Sequence, residues 1–397
     1  MKQFNRNAWW SAKQGLNGSL QGAAPATVLT RTGWSRSVGG VGPYLTLFAR
    51  AGTGREAADQ AVTDLQIHEL PSARGCTYVV PADDFALALK VGQPFAEVPL
   101  NTARKYLGVT DQELDNLCDA VRGALRANGP LNPTHLKDRC GGAVRNLGDA
   151  GKKRGLTTTL PLALGYLQAT GEIRRVPENG RLDQQRYAYT YWTPNPLDSF
   201  TLSLDEAHME LARRYFRWIG PATLAEFQWF SGLGVGAAKK AIAPLNLVPV
   251  DDAEPFLILP DEADAYAAFT PPDQPQLSLV TSFDSMLLLR RNLSDLLDPA
   301  DRERAIWGEK GLHTAGSLAD SPFHVILDRG RLIGFWEYDL EREQIAWMTF
   351  NSPPAGLPAV IAQMETYARE QLGDLRSHSM DTVASRAPKI AWLRQQS

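Results

Sequence analysis

Acidic residues are missing where they would be expected first: residues 1–55 hold seven Lys/Arg and no Asp or Glu. Cysteine is equally scarce. Cys76, Cys118 and Cys140 are the only three, widely spaced, and an odd sparse set excludes a disulfide framework and fits a reducing compartment. No CxxC pair and no His/Cys cluster offers zinc its ligand spacing, so no metal is expected. Gly39-Gly40-Val41-Gly42 lacks both GxGxxG spacing and a P-loop lysine, and Gly234-Val235-Gly236 has the same defect, so no cofactor is expected. No run of 18 apolar residues is present, which excludes a spanning helix of ordinary length. The opening residues lack the apolar core of a signal peptide, so the expected location is the cytoplasm.

What is present describes a folded chain. It has 397 residues, 44% of them hydrophobic, with a net charge of −3. That apolar fraction excludes disorder as the main state, and about 150 residues per domain gives two or three domains. The near-neutral net charge hides an asymmetry. Beyond the +7 opening block, residues 56–136 sum to −5, residues 137–186 to +5 and residues 187–397 to −10. Two basic blocks in an otherwise acidic chain predict a polyanion-binding face whose strength falls with salt.

The clearest unit lies at 101–200. Thr110 followed by Glu113 is a capping-box signature, and Leu114, Leu117, Val121 and Leu125 keep helical spacing over 111–128. Asn132-Pro133 starts a second helix, and residues 157–170 read as a third. Residues 173–176 and 186–191 alternate as strands about Asn179-Gly180, a hairpin signal. Helix, helix, helix, hairpin is the winged helix-turn-helix order, in which the third helix enters a major groove and the hairpin lies on the backbone. Lys152, Lys153 and Arg154 precede the third helix, Thr157 and Thr158 open it, and Arg174, Arg175, Asn179, Arg181 and Arg186 lie on or near the wing. These are the expected DNA contacts; winged helices also mediate protein contacts.

Residues 201–270 repeat the theme with an acidic end (Asp251, Asp252, Glu254), and residues 1–100 hold a further copy with a strand near Thr77–Val80. After the linker Pro271-Pro272-Asp273-Gln274-Pro275, residues 276–397 read as α+β, with a hairpin over 324–338 and an amphipathic helix over 358–372. The predicted fold is therefore α+β: three tandem winged units followed by a C-terminal β-rich domain.

Gln14-Gly15-Leu16, the Arg31-Thr32-Gly33-Trp34 turn, the Leu45-to-Arg50 helix, the tandem winged units, Ser282-Phe283-Asp284 and the Gly334-to-Asp339 strand together resemble the AlkZ/YcaQ-like winged-helix family, whose members include crosslink-repair DNA glycosylases. The resemblance implies three winged helices and a β-rich domain around a concave DNA cleft. It also implies a Gln-x-Gln or Gln-x-Asp pair after the Arg-x-Gly turn. Aligning Ser37-Val38 with the family's Ser-Val puts Trp34 and Arg36 on those two positions; Trp only donates a hydrogen bond and Arg stays protonated, so neither is a base.

Three functions follow as expectations. The first is a DNA-repair protein acting on damaged, alkylated duplex DNA, with Asp284 and Gln14 as candidates for relocated catalysis. The second is a non-catalytic DNA binder or regulator in which Trp34, Ser35, Arg36 and Ser37 contact DNA, Trp34 by stacking or, alternatively, filling the core. The third is a protein-interaction scaffold. The adjacent His68 and Glu69 point apart on either regular element and make a poor acid/base pair. A monomer acting on double-stranded DNA without a membrane is the simplest arrangement.

Overall fold

The computed structural model describes residues 2–251, 254–308 and 311–396; Asp252 of the acidic end lies outside them. The chain opens with α1 (Lys2–Lys13), α2 (Pro25–Thr32), β1 (Ser35–Arg36), α3 (Gly42–Ala51) and α4 (Arg55–Thr63). The hairpin β2 (Ile67–Pro71) and β3 (Thr77–Pro81) follows. β3 is central in the antiparallel order β1-β3-β2, with Ser35 opposite Val79 and Arg36 opposite Tyr78.

A long helix, α5 (Phe85–Leu107), then leads into α6 (Asp111–Asn128), α7 (Pro133–Cys140), α8 (Gly148–Lys152), α9 (Leu160–Ala169) and the hairpin of β4 (Ile173–Pro177) with β5 (Tyr187–Tyr191). The N-caps of α6 and α7 are as the sequence predicts. The Thr110 side chain accepts from the Glu113 amide at 3.1 Å, and the Asn132 side chain from the His135 amide at 3.0 Å. The reciprocal half of the Thr110 capping box is replaced: Glu113 takes two bonds from Arg145 instead. The third helix starts later than expected, at Leu160, because the Leu147 amide bonds the Thr157 carbonyl and Asn146 bridges Thr158. The hairpin is no tight turn either. Residues 178–186 form a loop that docks on distant parts of the chain, the Leu182 amide donating to the Tyr44 hydroxyl at 2.9 Å and Arg181 to the Leu372 carbonyl at 3.0 Å.

Next come α10 (Leu204–Ile219), α11 (Leu224–Ser231), α12 (Val235–Ile242), the short pair β6 (Val248–Pro249) and β7 (Leu257–Ile258), and α13 (Pro260–Ala268). Full capping boxes, Ser203 with Glu206 and Thr223 with Glu226, start α10 and α11. The remainder holds β8 (Leu277–Val280), α14 (Ser285–Leu288), β9 (Ala305–Gly308), β10 (Gly311–Thr314), β11 (His324–Asp328), β12 (Arg331–Asp339), β13 (Gln344–Thr349), α15 (Leu357–Tyr367) and α16 (Val383–Gln396). Four of these strands form an antiparallel sheet in the order β13-β12-β11-β8. The architecture is α+β.

Three apolar clusters divide the chain unevenly. One joins Trp10, Trp34, Tyr78 and Phe85 to Tyr215, Phe227 and Phe230 and on to Val325 and Phe335. A second joins Val28, Tyr44 and Leu45 to Trp336, Met364 and Tyr367. The third is confined to residues 100–189, where Leu117, Val121, Leu136, Leu164 and Leu167 fill it. The opening residues thus share their cores with distant parts of the chain, whereas the middle unit has a core of its own. Among the described residues no helix is long and apolar enough to cross a membrane.

Candidate nucleic-acid interface

Gly33 sets the geometry at the entry to β1. It lies at φ 99°, and a β-carbon there would stand 3.2 Å from the Trp218 ring, so the turn needs glycine. Strand alternation then sends Trp34 and Arg36 to one face and Ser35 and Ser37 to the other. Trp34 is core: it is 1% exposed, packs near Tyr78, Trp218 and Phe230, and donates its indole N–H to Asp84 Oδ2 at 2.8 Å. Ser35 and Ser37 are buried too, bonded to Thr46 Oγ1 at 3.2 Å and Glu69 Oε1 at 2.5 Å. The expectation that these three touch DNA is corrected, because each is already covered and hydrogen-bonded inside the protein. Arg36 is half-buried, holds the Thr77 carbonyl at 3.2 Å and lies over the Tyr78 ring at 5.5 Å.

Asp284 and Gln14 are corrected as catalytic candidates for the same reason. Arg50 clasps Asp284 through two 2.8 Å bonds, with both side chains fully buried, and Asp284 Oδ1 also caps α14 by accepting from the Met286 amide at 2.8 Å. Gln14 donates to the Thr32 and Trp218 carbonyls and accepts from Arg50 at 2.8 Å. No lone pair of this network faces a cleft; it ties α1, α2, α3 and α14 together. His68 and Glu69 point apart as the strand geometry requires. Glu69 meets Ser37, while the His68 ring packs on Phe85 and Trp192 with neither nitrogen bonded among the described residues. Burial first, and then the nearby Arg174 and Arg175, pull the His68 pKa down to about 3.

The first basic block does not form an open polyanion face. Lys2 pairs with Asp251, Arg6 with Glu254, Lys13 with Glu262, Arg50 with Asp284 and Arg55 with Asp59. Four of those five partners come from the acidic C-terminal half. Arg31 and Arg36 alone in the block have no carboxylate within reach among the described residues.

The middle unit is different. Lys152, Lys153 and Arg154 are exposed just ahead of α9; Lys152 reaches Asp149 at 3.3 Å on the open surface, and Arg154 lies 4.7 Å over the Tyr106 ring. Thr157 is exposed and Thr158 half-buried. Arg174 and Arg175 are half-buried on β4, Arg175 lying 5.2 Å from the Tyr187 ring. Asn179 and Arg186 are exposed in the β4–β5 loop, and Asn179 Oδ1 caps the Arg181 amide at 3.2 Å. Arg181 is the exception: Asp183 holds it at 2.9 and 2.5 Å and it also bonds the Leu372 carbonyl, so it fastens the loop instead of facing solvent. Two groups escaped the residue-by-residue reading. Lys137 and Arg139 are exposed at the end of α7, a position the charge count of 137–186 already marked. Tyr106, 52% exposed between Lys105 and Arg154, carried no sequence signal of its own.

The family model of the DNA glycosylase AlkZ-like type matches residues 41–370. Among solved structures, the chain is similar to the Streptomyces sahachiroi DNA glycosylase AlkZ, with a TM-score of 0.69 at 20% sequence identity, over 92% of this chain and 95% of that one. No curated protein matches it. The fold is thus shared with a glycosylase whose sequence has diverged widely, and the family match spans most of the chain. The protein belongs to the DNA glycosylase AlkZ-like family.

Proposed function

We propose that the protein binds double-stranded DNA through residues 101–200 and acts in the repair of damaged, alkylated DNA. The observation that carries this reading is the set of exposed cations with no carboxylate in reach among the described residues, Lys137 and Arg139 at the end of α7, Lys153 ahead of α9 and Arg186 before β5. In this reading α6, α7, α9 and the hairpin are a winged helix, with further winged units at 1–100 and 201–270 and a β-rich domain at 276–397. The start of α9 enters the major groove, Lys152, Lys153, Arg154, Thr157 and Thr158 meet phosphates there, and Arg174, Arg175, Asn179 and Arg186 meet the backbone along the wing. The monomer acts in the cytoplasm. Family membership and the fold shared with a DNA glycosylase support the assignment.

A second reading, a non-catalytic lesion binder, is favoured by one specific observation. The resemblance aligns Trp34 with the first residue of the family's polar pair and Arg36 with the second, and Trp34 is sealed in the core. Hydrolysing an N-glycosidic bond calls for a general base or carboxylate at the sugar, and neither residue supplies one.

Fluorescence anisotropy on two matched duplexes, one intact and one bearing a stable abasic-site analogue, tests both readings across a salt series. Salt-sensitive binding weakened by Lys153→Ala and Arg174→Ala is expected. Base release from alkylated DNA then separates the enzyme from the binder, and absence of binding at low salt overturns both.

A further inference from the structure

Arg36 and Arg74 each lie over an aromatic ring, and both lack what nearly all the other cations near them have. Tyr78 lies beneath Arg36 at 5.5 Å, and Trp229 of α11 lies beneath Arg74 at 3.8 Å. The Tyr78 ring packs against Trp34 and Phe230. Both guanidiniums lie close enough to the Tyr78 hydroxyl to oppose the effect of its burial. Neither has a carboxylate within salt-bridge reach among the described residues, whereas the arginines around them are paired: Arg50 with Asp284, Arg214 with Asp84, Arg291 with Asp320.

Arg74 sits at φ 58°, in the left-handed region that non-glycine residues rarely adopt. Such a conformation persists where the surroundings impose it, and often where a functional group must be aimed. Here the tight turn between β2 and β3 imposes it: Gly75 follows at φ 67°, and the Cys76 amide closes on the Ala73 carbonyl at 3.1 Å. Gly232, which ends α11, lies so close that a β-carbon on it would come within 2.9 Å of Arg74 Cγ and 3.0 Å of Arg74 Cα. Arg291, which lies 4.9 Å from the same Trp229 ring, is also left-handed at φ 53° and is locked by Asp320 at 2.8–2.9 Å.

Arg36 gives one N–H to the Thr77 carbonyl at 3.2 Å and Arg74 is exposed; the remaining donors of a planar guanidinium make a fork that fits phosphate oxygens. We propose that Arg36 and Arg74 form a clamp for phosphates of the DNA backbone, built from β1 and the β2–β3 turn. This inference rests on the DNA-binding reading above and extends it from the middle unit to the β1–β3 edge. It also gives Arg36 a role that needs no base.

The test measures the salt dependence of duplex binding for the full chain, comparing the wild type with Arg36→Ala, Arg74→Ala, the double variant and Lys153→Ala. Thermal melting verifies that each remains folded. Each phosphate contact contributes about 0.9 to the slope of log affinity on log salt. Each single arginine variant is therefore expected to flatten the slope by about 1, and the double variant by about 2. Arg74→Lys should retain the slope while weakening affinity, because an ammonium keeps the charge and loses the fork. A double variant with the wild-type slope, alongside a flattened Lys153→Ala, overturns the clamp and leaves the DNA-binding reading standing. A wild type that does not bind duplex at low salt overturns both.

Discussion

Residues 1–55 and residues 137–186 carry excesses of positive charge of similar size, +7 and +5, and the fold puts them to different uses. In the first block five cations end on carboxylates, four of them beyond residue 250. That block is one half of an intramolecular match with the acidic C-terminal half, and its charge holds distant segments together. In the middle block Arg145, Lys152 and Arg181 meet carboxylates, while Lys137, Arg139, Lys153, Arg154 and Arg186 are exposed with no carboxylate in reach among the described residues. The cores agree with the charges. The first block's helices share apolar clusters with distant strands, and the middle unit closes its own. A run of one sign therefore reads as an interface, and the sequence alone does not say whether the complement is a ligand or another part of the same chain.

The largest effect expected from this contrast is at Arg50. Arg50→Met leaves the Asp284 carboxylate buried without its counter-ion, and breaking a buried pair from one side costs about 3–5 kcal/mol. Urea denaturation should show that loss, and the folded variant should bind duplex with the wild-type salt slope. A variant of normal stability that loses DNA affinity would erase the distinction between the two blocks.

The converse holds for the exposed cluster. Replacing Lys152, Lys153 and Arg154 together with alanine should flatten the salt slope by roughly 2–3. Stability should stay within about 0.5 kcal/mol of wild type, as for surface positions that anchor nothing. Anisotropy titrations and urea melts on the same preparations check both halves.

The middle unit was the most legible part of the sequence for a physical reason. Its signals are local: Thr110 and Asn132 cap helices within three residues, and its core spacing repeats every three to four. The long α5 was missed because Pro94 and Pro99 break the expected pattern, yet the helix runs through both. The site was half legible. Lys153 and Arg186 are exposed as their positions suggest. Trp34, Ser37, Asp284 and Gln14 are buried because of partners 18 to 251 positions away, such as Thr32 for Gln14 and Arg50 for Asp284, and no local pattern reports those. Arg74 could have been suspected only from Arg74-Gly75 as a turn; its Trp229 platform is tertiary.

Where the two regions meet, a pH effect follows. His68 on β2 is buried beside Arg174 and Arg175 of β4, and its pKa falls to about 3 from an ordinary 6.5. Between those values the unfolded chain takes up a proton that the folded one refuses. The contribution is complete above pH 6.5 and is lost as pH falls toward 3, by about 1.4 kcal/mol per pH unit. Glutamine does not titrate, so the stability gap between wild type and His68→Gln should narrow at that rate below pH 6.5. Parallel pH-dependent slopes for the two proteins would remove His68 from the boundary.

The smallest effect probes the independence of the middle core. Thr110→Ala removes the side-chain acceptor for the Glu113 amide at the start of α6, worth about 1 kcal/mol. Because α6 and α9 pack within the cluster of residues 100–189, the loss should appear as faster hydrogen exchange of amides in α6, α7 and α9. Amides of α1 to α3 belong to the other two clusters and should exchange at their wild-type rates. Uniform acceleration across both regions would mean that the middle unit opens only with the whole molecule. In that case its separate core would be a feature of packing without a matching unit of stability.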